Sequence, residues 1–147
     1  MKKRARYGLM FACALMIPAT ATHADPEEMI KYRKNVMKAI GGHSGALFAI
    51  ARDRAGDASH LEAHVRSLAA TSMLVKDVFQ SESELGDTRA APEIWSDPEG
   101  FAKAVATLED AASGVLTAYE SNGDLGAALN ALGKSCKGCH DDYRTDD

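Results

Sequence analysis

Two cysteines and a histidine near the C-terminus have the types and the spacing to hold an iron-containing ring. They lie in Cys136-Lys137-Gly138-Cys139-His140, which is the C-x-x-C-H pattern of covalent haem c attachment. On a helix, two cysteines three residues apart share a face, so each can bond one vinyl group of a haem. The histidine that follows directs its imidazole at the iron. We therefore predict one haem c, with thioethers to Cys136 and Cys139 and with His140 as an iron ligand.

Three other uses of the cysteine pair explain less of the sequence. A zinc site needs two further ligands, and His43, His60 and His64 are not accompanied by a second C-x-x-C or a paired histidine motif. A thioredoxin-type redox pair needs a βαβ setting, of which there is no sign. A disulfide in a small helical module would close a very short loop, and it would leave His140 without a role.

Helix start and stop signals predict four helices and no strand. The first and third helices open with Asp25-Pro26 and Asp97-Pro98, where aspartate can cap and proline suits the first helical position. The second is expected to begin at Ser59, with Glu62 completing a capping box, and the fourth at Asp124. Their apolar stripes and mixed loop lengths predict an all-α fold, an antiparallel four-helix bundle that encloses the haem.

Two segments of the chain suggest how the bundle accommodates its ligand. The glycines at positions 41, 42 and 45 are costly inside a helix, so we expect another helix or a flat ligand to pack closely there. The long connection over residues 80–97 contains Pro92-Glu93-Ile94-Trp95, an apolar plug expected to turn inward.

The N-terminus has the organisation of a secretory signal. Four basic residues precede an apolar run from Tyr7 to Ile17, and Thr22-His23-Ala24 supplies small residues for cleavage after Ala24. We expect residues 1–24 to be removed on export to the periplasm, leaving one domain over residues 25–147. The removal takes four of the 17 Lys and Arg, so 13 face 21 Asp and Glu and the net charge becomes −8. That charge disfavours nucleic acid and anionic membranes as partners.

The C-terminal C-x-x-C-H on a helical bundle resembles the class II cytochromes c, meaning cytochrome c′ and its low-spin relatives. The resemblance covers residues 25–147. It rests on Lys31-Tyr32-Arg33, on VMKAIGG at residues 36–42, on PEIWSD at residues 92–97, and above all on CKGCHDDYR at residues 136–144.

The resemblance implies a role for Met37 that has two forms. In the low-spin relatives, a methionine at this position ligates the iron through sulfur, and VMKAIGGHSGAL resembles that group more closely. In the five-coordinate cytochromes c′, the residue here is an apolar block over a vacant iron position. His/Met ligation would close the iron to small molecules, whereas an open site admits NO or CO.

Other residues could contact the haem or have plain structural roles. The resemblance places Arg33 beside a haem propionate, and the alternative is an ordinary exposed arginine. Arg144 either covers the edge of His140 or is solvated. Several others are expected to pack or to face solvent: Trp95 and Tyr143 around the haem pocket, Met29 and Met73 in the core or on the surface, and His43, His60 and His64 on the surface.

The sequence thus predicts a single-electron carrier of the periplasm with a His140/Met37-ligated haem. The alternative is a five-coordinate cytochrome c′ that binds NO or CO. We expect redox partner proteins and no enzymatic turnover, because no general acid or base is recognisable near the iron ligands. We also expect no stable membrane insertion after processing. The resemblance allows a homodimer through the first two helices, although the sequence has no decisive apolar patch there.

Overall fold

A computed structural model of the protein describes residues 25–80, 82 and 86–146. The expected leader over residues 1–24 and its cleavage point lie outside the described residues. Four longer helices, α1 (Pro26–Ala51), α2 (Leu61–Ser72), α5 (Pro98–Glu120) and α6 (Leu125–Tyr143), form the bundle. Two short helices, α3 (Val75–Val78) and α4 (Glu93–Ser96), lie between α2 and α5. The predicted all-α four-helix bundle is confirmed.

Aspartate caps begin three of the four bundle helices, as the sequence predicts. The side chains of Asp25, Asp97 and Asp124 accept hydrogen bonds from backbone N–H groups of the first turns, at 3.0, 3.1 and 2.8 Å. These bonds satisfy backbone donors that have no partner within the helix. The caps therefore set where α1, α5 and α6 begin.

The start of the second helix differs from the prediction. Ser59 is not its cap, because Asp57 Oδ1 accepts from the Ser59 backbone N–H at 2.8 Å and holds a single 3₁₀ turn, Ala58–His60. Helix α2 follows at Leu61 without a side-chain cap. Because Asp57 lies two residues earlier and its carboxylate accepts from the Ser59 N–H, the cap moves upstream.

The apolar repeat that runs through residues 61–79 is also interrupted. Helix α2 ends at Ser72, and α3 resumes at Val75. The Thr71 hydroxyl donates to the Ser67 carbonyl at 2.7 Å, a local bond that favours bending at this point. The buried stripe nevertheless continues through Val75 and Val78 into the core.

Contacts between neighbouring helices close the bundle around a continuous core. Helix α5 packs on α6 and α2, and α1 packs on α2, α3 and α6. The short α5–α6 connection makes those two helices antiparallel. The largest side chains with essentially no exposure mark the centre of the core: Leu47, Val65, Leu68, Ser72, Val115 and Leu132.

The connection after α3 is tied to the end of α6. An isolated antiparallel bridge joins Ala90 to Arg144, and the Ala91 N–H donates to the Tyr143 carbonyl at 3.1 Å. Ile94 is buried, as expected of the apolar plug, and the Trp95 indole N–H donates to the Phe79 carbonyl at 2.9 Å. The connection therefore forms a wall beside the C-x-x-C-H segment. Across the described part of the chain, no helix is both long and apolar enough to span a bilayer.

Candidate haem-binding site

Helix α6 presents the cysteines and the histidine to one cavity. Cys136, Cys139 and His140 all line it, and both cysteines are half-buried. Before a haem is attached, burial raises the pKa of each thiol and keeps both protonated at neutral pH. This is the arrangement that two thioether bonds to a single ring would need.

The cavity that these residues line is large and mostly apolar. Its volume is about 820 Å³, within the range of pockets that hold cofactors. Side chains from α1, from α3 and the residue after it, from α4 and from α5 form its apolar wall: Ile40, Phe48, Val75, Phe79, Ile94, Phe101, Val105 and Leu108. A flat, largely apolar macrocycle fits such a space.

The same cavity also has a cationic lining, although the whole chain carries a net charge of −4. Among the described lining residues, five are Lys or Arg and only one, Asp87, is acidic. The cations are Arg33, Lys34, Lys38, Arg89 and Arg144. A haem brings two propionate carboxylates, and guanidinium and ammonium groups bind carboxylates well. The charge of the lining therefore fits haem as closely as its apolar wall does.

Arg33 is the most buried of these cations, with 2% of its surface exposed. Its Nε donates to the Val78 carbonyl at 3.0 Å, and its guanidinium lies 4.7 Å from the Phe79 ring centre and 5.5 Å from that of Trp95. Burial lowers the pKa of Arg33, although arginine stays charged near neutrality. The alternative of an ordinary exposed arginine is wrong, because α1 turns Arg33 into the cavity.

His140 is in contact with Arg144, one helical turn further along the chain. His140 Nδ1 lies 3.1 Å from Arg144 Nη1, so the guanidinium reaches the imidazole while Arg144 remains exposed. Burial lowers the pKa of His140 first, and the charges of Arg144 and Arg89 add to that effect. The imidazole is therefore held neutral, which is the form that ligates a metal.

Met37 lines the cavity from α1, one turn beyond Arg33. It is half-buried, and it enters from a different helix than His140. The other two methionines considered do not line the cavity, and Met73 is 58% exposed. Of the described methionines, Met37 is thus the one whose sulfur shares a cavity with His140.

Tyr143 lines the cavity, whereas Trp95 does not. Tyr143 packs edge-on against Phe101, with ring centres 5.2 Å apart. The Trp95 ring lies 5.5 Å from the Arg33 guanidinium, and its indole N–H donates to the Phe79 carbonyl. The expectation that Tyr143 packs around the pocket is confirmed, whereas Trp95 contacts two of the residues that line it.

Of the two expectations for the three glycines of α1, another helix or a flat ligand packed closely there, the structure does not show the helix. A Cβ added at Gly41, Gly42 or Gly45 would meet no protein atom within 4 Å. Gly41 lines the cavity instead. The absence of a side chain there leaves room on the ligand side of α1.

Several residues that line the cavity were not predicted from the sequence. Lys34, Lys38, Arg89 and Ser44 all reach the cavity. Ser44 lies seven residues after Met37, on the same face of α1, so helical spacing from Met37 could have found it. Arg89 comes from the connection, where no periodic pattern exists to guide a prediction.

His43, His60 and His64 all keep exposed surface, as expected, but two of them also meet. His43 on α1 and His64 on α2 are half-buried and contact each other, with 3.1 Å between their Nδ1 atoms, whereas His60 is exposed. The packing of α1 against α2 brings them together.

Comparison with known proteins agrees with this geometry. The family model described as Cytochrome C' matches residues 28–144. A cytochrome c′ from Alcaligenes xylosoxydans xylosoxydans is 36% identical over 125 residues, covering 82% of this chain and 96% of the relative. A cytochrome c-556 from Agrobacterium fabrum is 33% identical over 138 residues, covering 92% and 90%.

A solved structure extends the similarity to three dimensions. It is a ferrous variant of cytochrome c prime from Alcaligenes xylosoxidans with bound NO, at 32% identity and a TM-score of 0.76, covering 85% of this chain and 99% of that one. The chain belongs to the cytochrome c′ family and carries covalently bound haem c.

Proposed function

We propose that Cys136 and Cys139 attach the haem through two thioethers and that His140 ligates its iron. The support is the common cavity face that these three residues share on α6. Arg33 and the neighbouring cations of the lining would hold the propionates. The haem supplies an iron that accepts an axial ligand and cycles between ferric and ferrous states.

On that basis we propose that the protein binds NO or CO at the iron face opposite His140. One observation carries this proposal: Met37, on α1, lines the same cavity as His140, on α6. A haem held from α6 would share the cavity with Met37 of α1, where this side chain would act as an apolar block that only small ligands could displace. A relative with bound NO makes the same chemistry reasonable here.

A second candidate is the electron carrier in which Met37 ligates the iron. The observation in its favour is the cationic lining of the cavity in an acidic protein. Lys38 and Arg89, which are exposed, would make the rim of the cavity an attractive docking surface for an acidic redox partner.

Absorption spectra of the haem-loaded protein, ferric and ferrous and with or without CO, separate the two candidates. We expect a broad high-spin ferrous spectrum that changes on addition of CO. Sharp, split α and β bands that CO leaves unchanged would refute the gas-binding proposal and favour the electron carrier.

A Met37→Leu variant sharpens the comparison, because leucine has a similar volume and no sulfur. Under the gas-binding proposal, the variant keeps the high-spin spectrum. Under the electron-carrier alternative, it changes from low spin to high spin and gains CO binding.

We further propose that the protein acts in the periplasm without substrate turnover and as a homodimer through α1 and α2. N-terminal sequencing of the exported protein would test cleavage after Ala24. Sedimentation of the haem-loaded protein would test the dimer.

A further inference from the structure

A pair of histidines joins α1 to α2 outside the haem cavity. His43 Nδ1 and His64 Nδ1 are 3.1 Å apart, and the ring centres are 5.3 Å apart with a 57° angle between the planes. Both side chains are half-buried, so solvent reaches the pair. Neither residue lines the haem cavity.

The distance between the two Nδ1 atoms matches the distance expected between two imidazole nitrogens that bind one metal ion. Metal–imidazole bonds of about 2.0–2.1 Å, at ligand angles between square and tetrahedral, place two nitrogens about 2.9–3.4 Å apart. The observed 3.1 Å lies inside that interval. The two rings therefore need little movement to point both nitrogens at one ion.

The electrostatic setting suits metal binding better than proton binding. Burial lowers the pKa of His43, and the neighbouring His64 lowers it further. A neutral imidazole is the form that binds metals. Without an ion, one of the two facing nitrogens must carry the proton of a His–His hydrogen bond, because two acceptors cannot bond each other.

We propose that His43 and His64 form a two-histidine clip that binds one divalent transition-metal ion, such as Cu²⁺, Ni²⁺ or Zn²⁺. Imidazole nitrogen is a ligand that all three ions accept. Water completes the coordination shell, since the described residues hold no group of three or more His, Cys, Asp or Glu suited to a metal. The ion would cross-link α1 and α2 and leave the haem cavity untouched.

The test is titration of the haem-loaded protein with each metal chloride by calorimetry, together with thermal unfolding at each metal concentration. In the haem-loaded protein, His140 is engaged with the iron under the proposed function and does not compete. We expect one ion per chain, with Cu²⁺ bound more tightly than Ni²⁺ or Zn²⁺. At a metal concentration 100 times Kd, the ratio of folded to unfolded protein should rise about 100-fold.

Three variants locate the ion. His43→Gln and His64→Gln should each weaken binding about tenfold or more, because a single imidazole replaces a chelating pair. His60→Gln is the matched control, since His60 is exposed in the 3₁₀ turn that precedes α2, four residues before His64. This variant should bind the ion as the unsubstituted protein does. Glutamine keeps a polar side chain at the α1–α2 contact, and an unchanged haem spectrum shows that each variant folds.

Two outcomes overturn the clip. One is binding of equal strength in the His43 and His64 variants, which would place the ion elsewhere. The other is the absence of binding heat and of any thermal shift in the unsubstituted protein, which would leave the pair as a hydrogen bond between helices.

Discussion

The Tyr143 hydroxyl donates a 3.0 Å hydrogen bond to Oδ2 of Asp97. The other oxygen of the same carboxylate, Oδ1, caps α5 by accepting from the Gly100 N–H at 3.1 Å. One side chain thus joins the last turn of α6, three residues after His140, to the first turn of α5. This relationship holds the end of the haem-binding helix in place.

Tyr143→Phe should remove this link and lower the free energy of unfolding by about 0.5–1.5 kcal/mol, the usual net value of a hydrogen bond. Burial, helped by the bond to Asp97, raises the pKa of Tyr143 to about 12. Folding therefore favours the protonated phenol, and this stabilisation is complete below about pH 10, the unfolded pKa. It declines as pH rises towards 12.

Urea unfolding from pH 8 to 12 checks this prediction. The stability difference between the unsubstituted protein and Tyr143→Phe should narrow above pH 10. Tyr32→Phe is the control, since Tyr32 is 51% exposed. An equal loss in both variants would contradict a special role for Tyr143.

Gly100→Ala should destabilise the protein, although alanine is normally the better helix former. A Cβ at position 100 would lie 2.5 Å from the Tyr143 hydroxyl and closer still to the Asp97 carboxylate. We expect a loss of about 1–3 kcal/mol, as for other overpacked sites. Gly114→Ala, on the same helix, meets nothing within 4 Å and should stabilise by about 0.5–1 kcal/mol. Chemical denaturation measures the free energy of unfolding of both variants. An increase for Gly100→Ala would contradict the prediction and show that the cap tolerates the methyl group.

Arg33→Lys should cost about 1.5–3 kcal/mol of folding free energy, the usual value of a hydrogen bond made by a charged group. Lysine cannot reproduce the planar guanidinium that bonds the Val78 carbonyl while lying over Phe79. Arg66→Lys is the control, because its ion pairs with Glu62 and Glu120 are exposed and contribute little. Thermal unfolding should separate the two variants clearly. Similar melting temperatures would mean that lysine serves equally well at position 33.

Arg144→Gln should lower the reduction potential of the haem-loaded protein. The guanidinium lies against His140 and disfavours the more positive ferric iron, so its removal stabilises the ferric state. Because solvent screens the charge of the exposed Arg144 side chain, the reduction potential should decrease by on the order of tens of millivolts. Lys137→Gln, exposed on the same helix, is the matched control. Spectroelectrochemistry measures both potentials, and equal shifts would mean that only the total charge matters.

Short-range patterns were enough to predict the haem motif and most helix starts. The C-x-x-C-H segment, the caps at Asp25, Asp97 and Asp124, and the inward-turning plug at Ile94 each depend on residues within a turn or two of one another. Asp57 and Ser59 both suit the cap position before α2, so the sequence alone did not distinguish them. Ser59 was predicted as the cap, and the structure shows Asp57 in that role.

The sequence by itself determined the fold class, the haem chemistry of α6 and the face on which Met37 lies, because helical periodicity and motif spacing are local properties. Only the tertiary structure decided that Arg33 is buried between aromatic rings, that Arg89 joins the cavity and that His43 meets His64. Those contacts join residues that are separated in the sequence by between 21 and more than 50 positions. They depend on how the bundle helices and the long connection pack against one another, for which no single stretch of sequence carries a periodic signal.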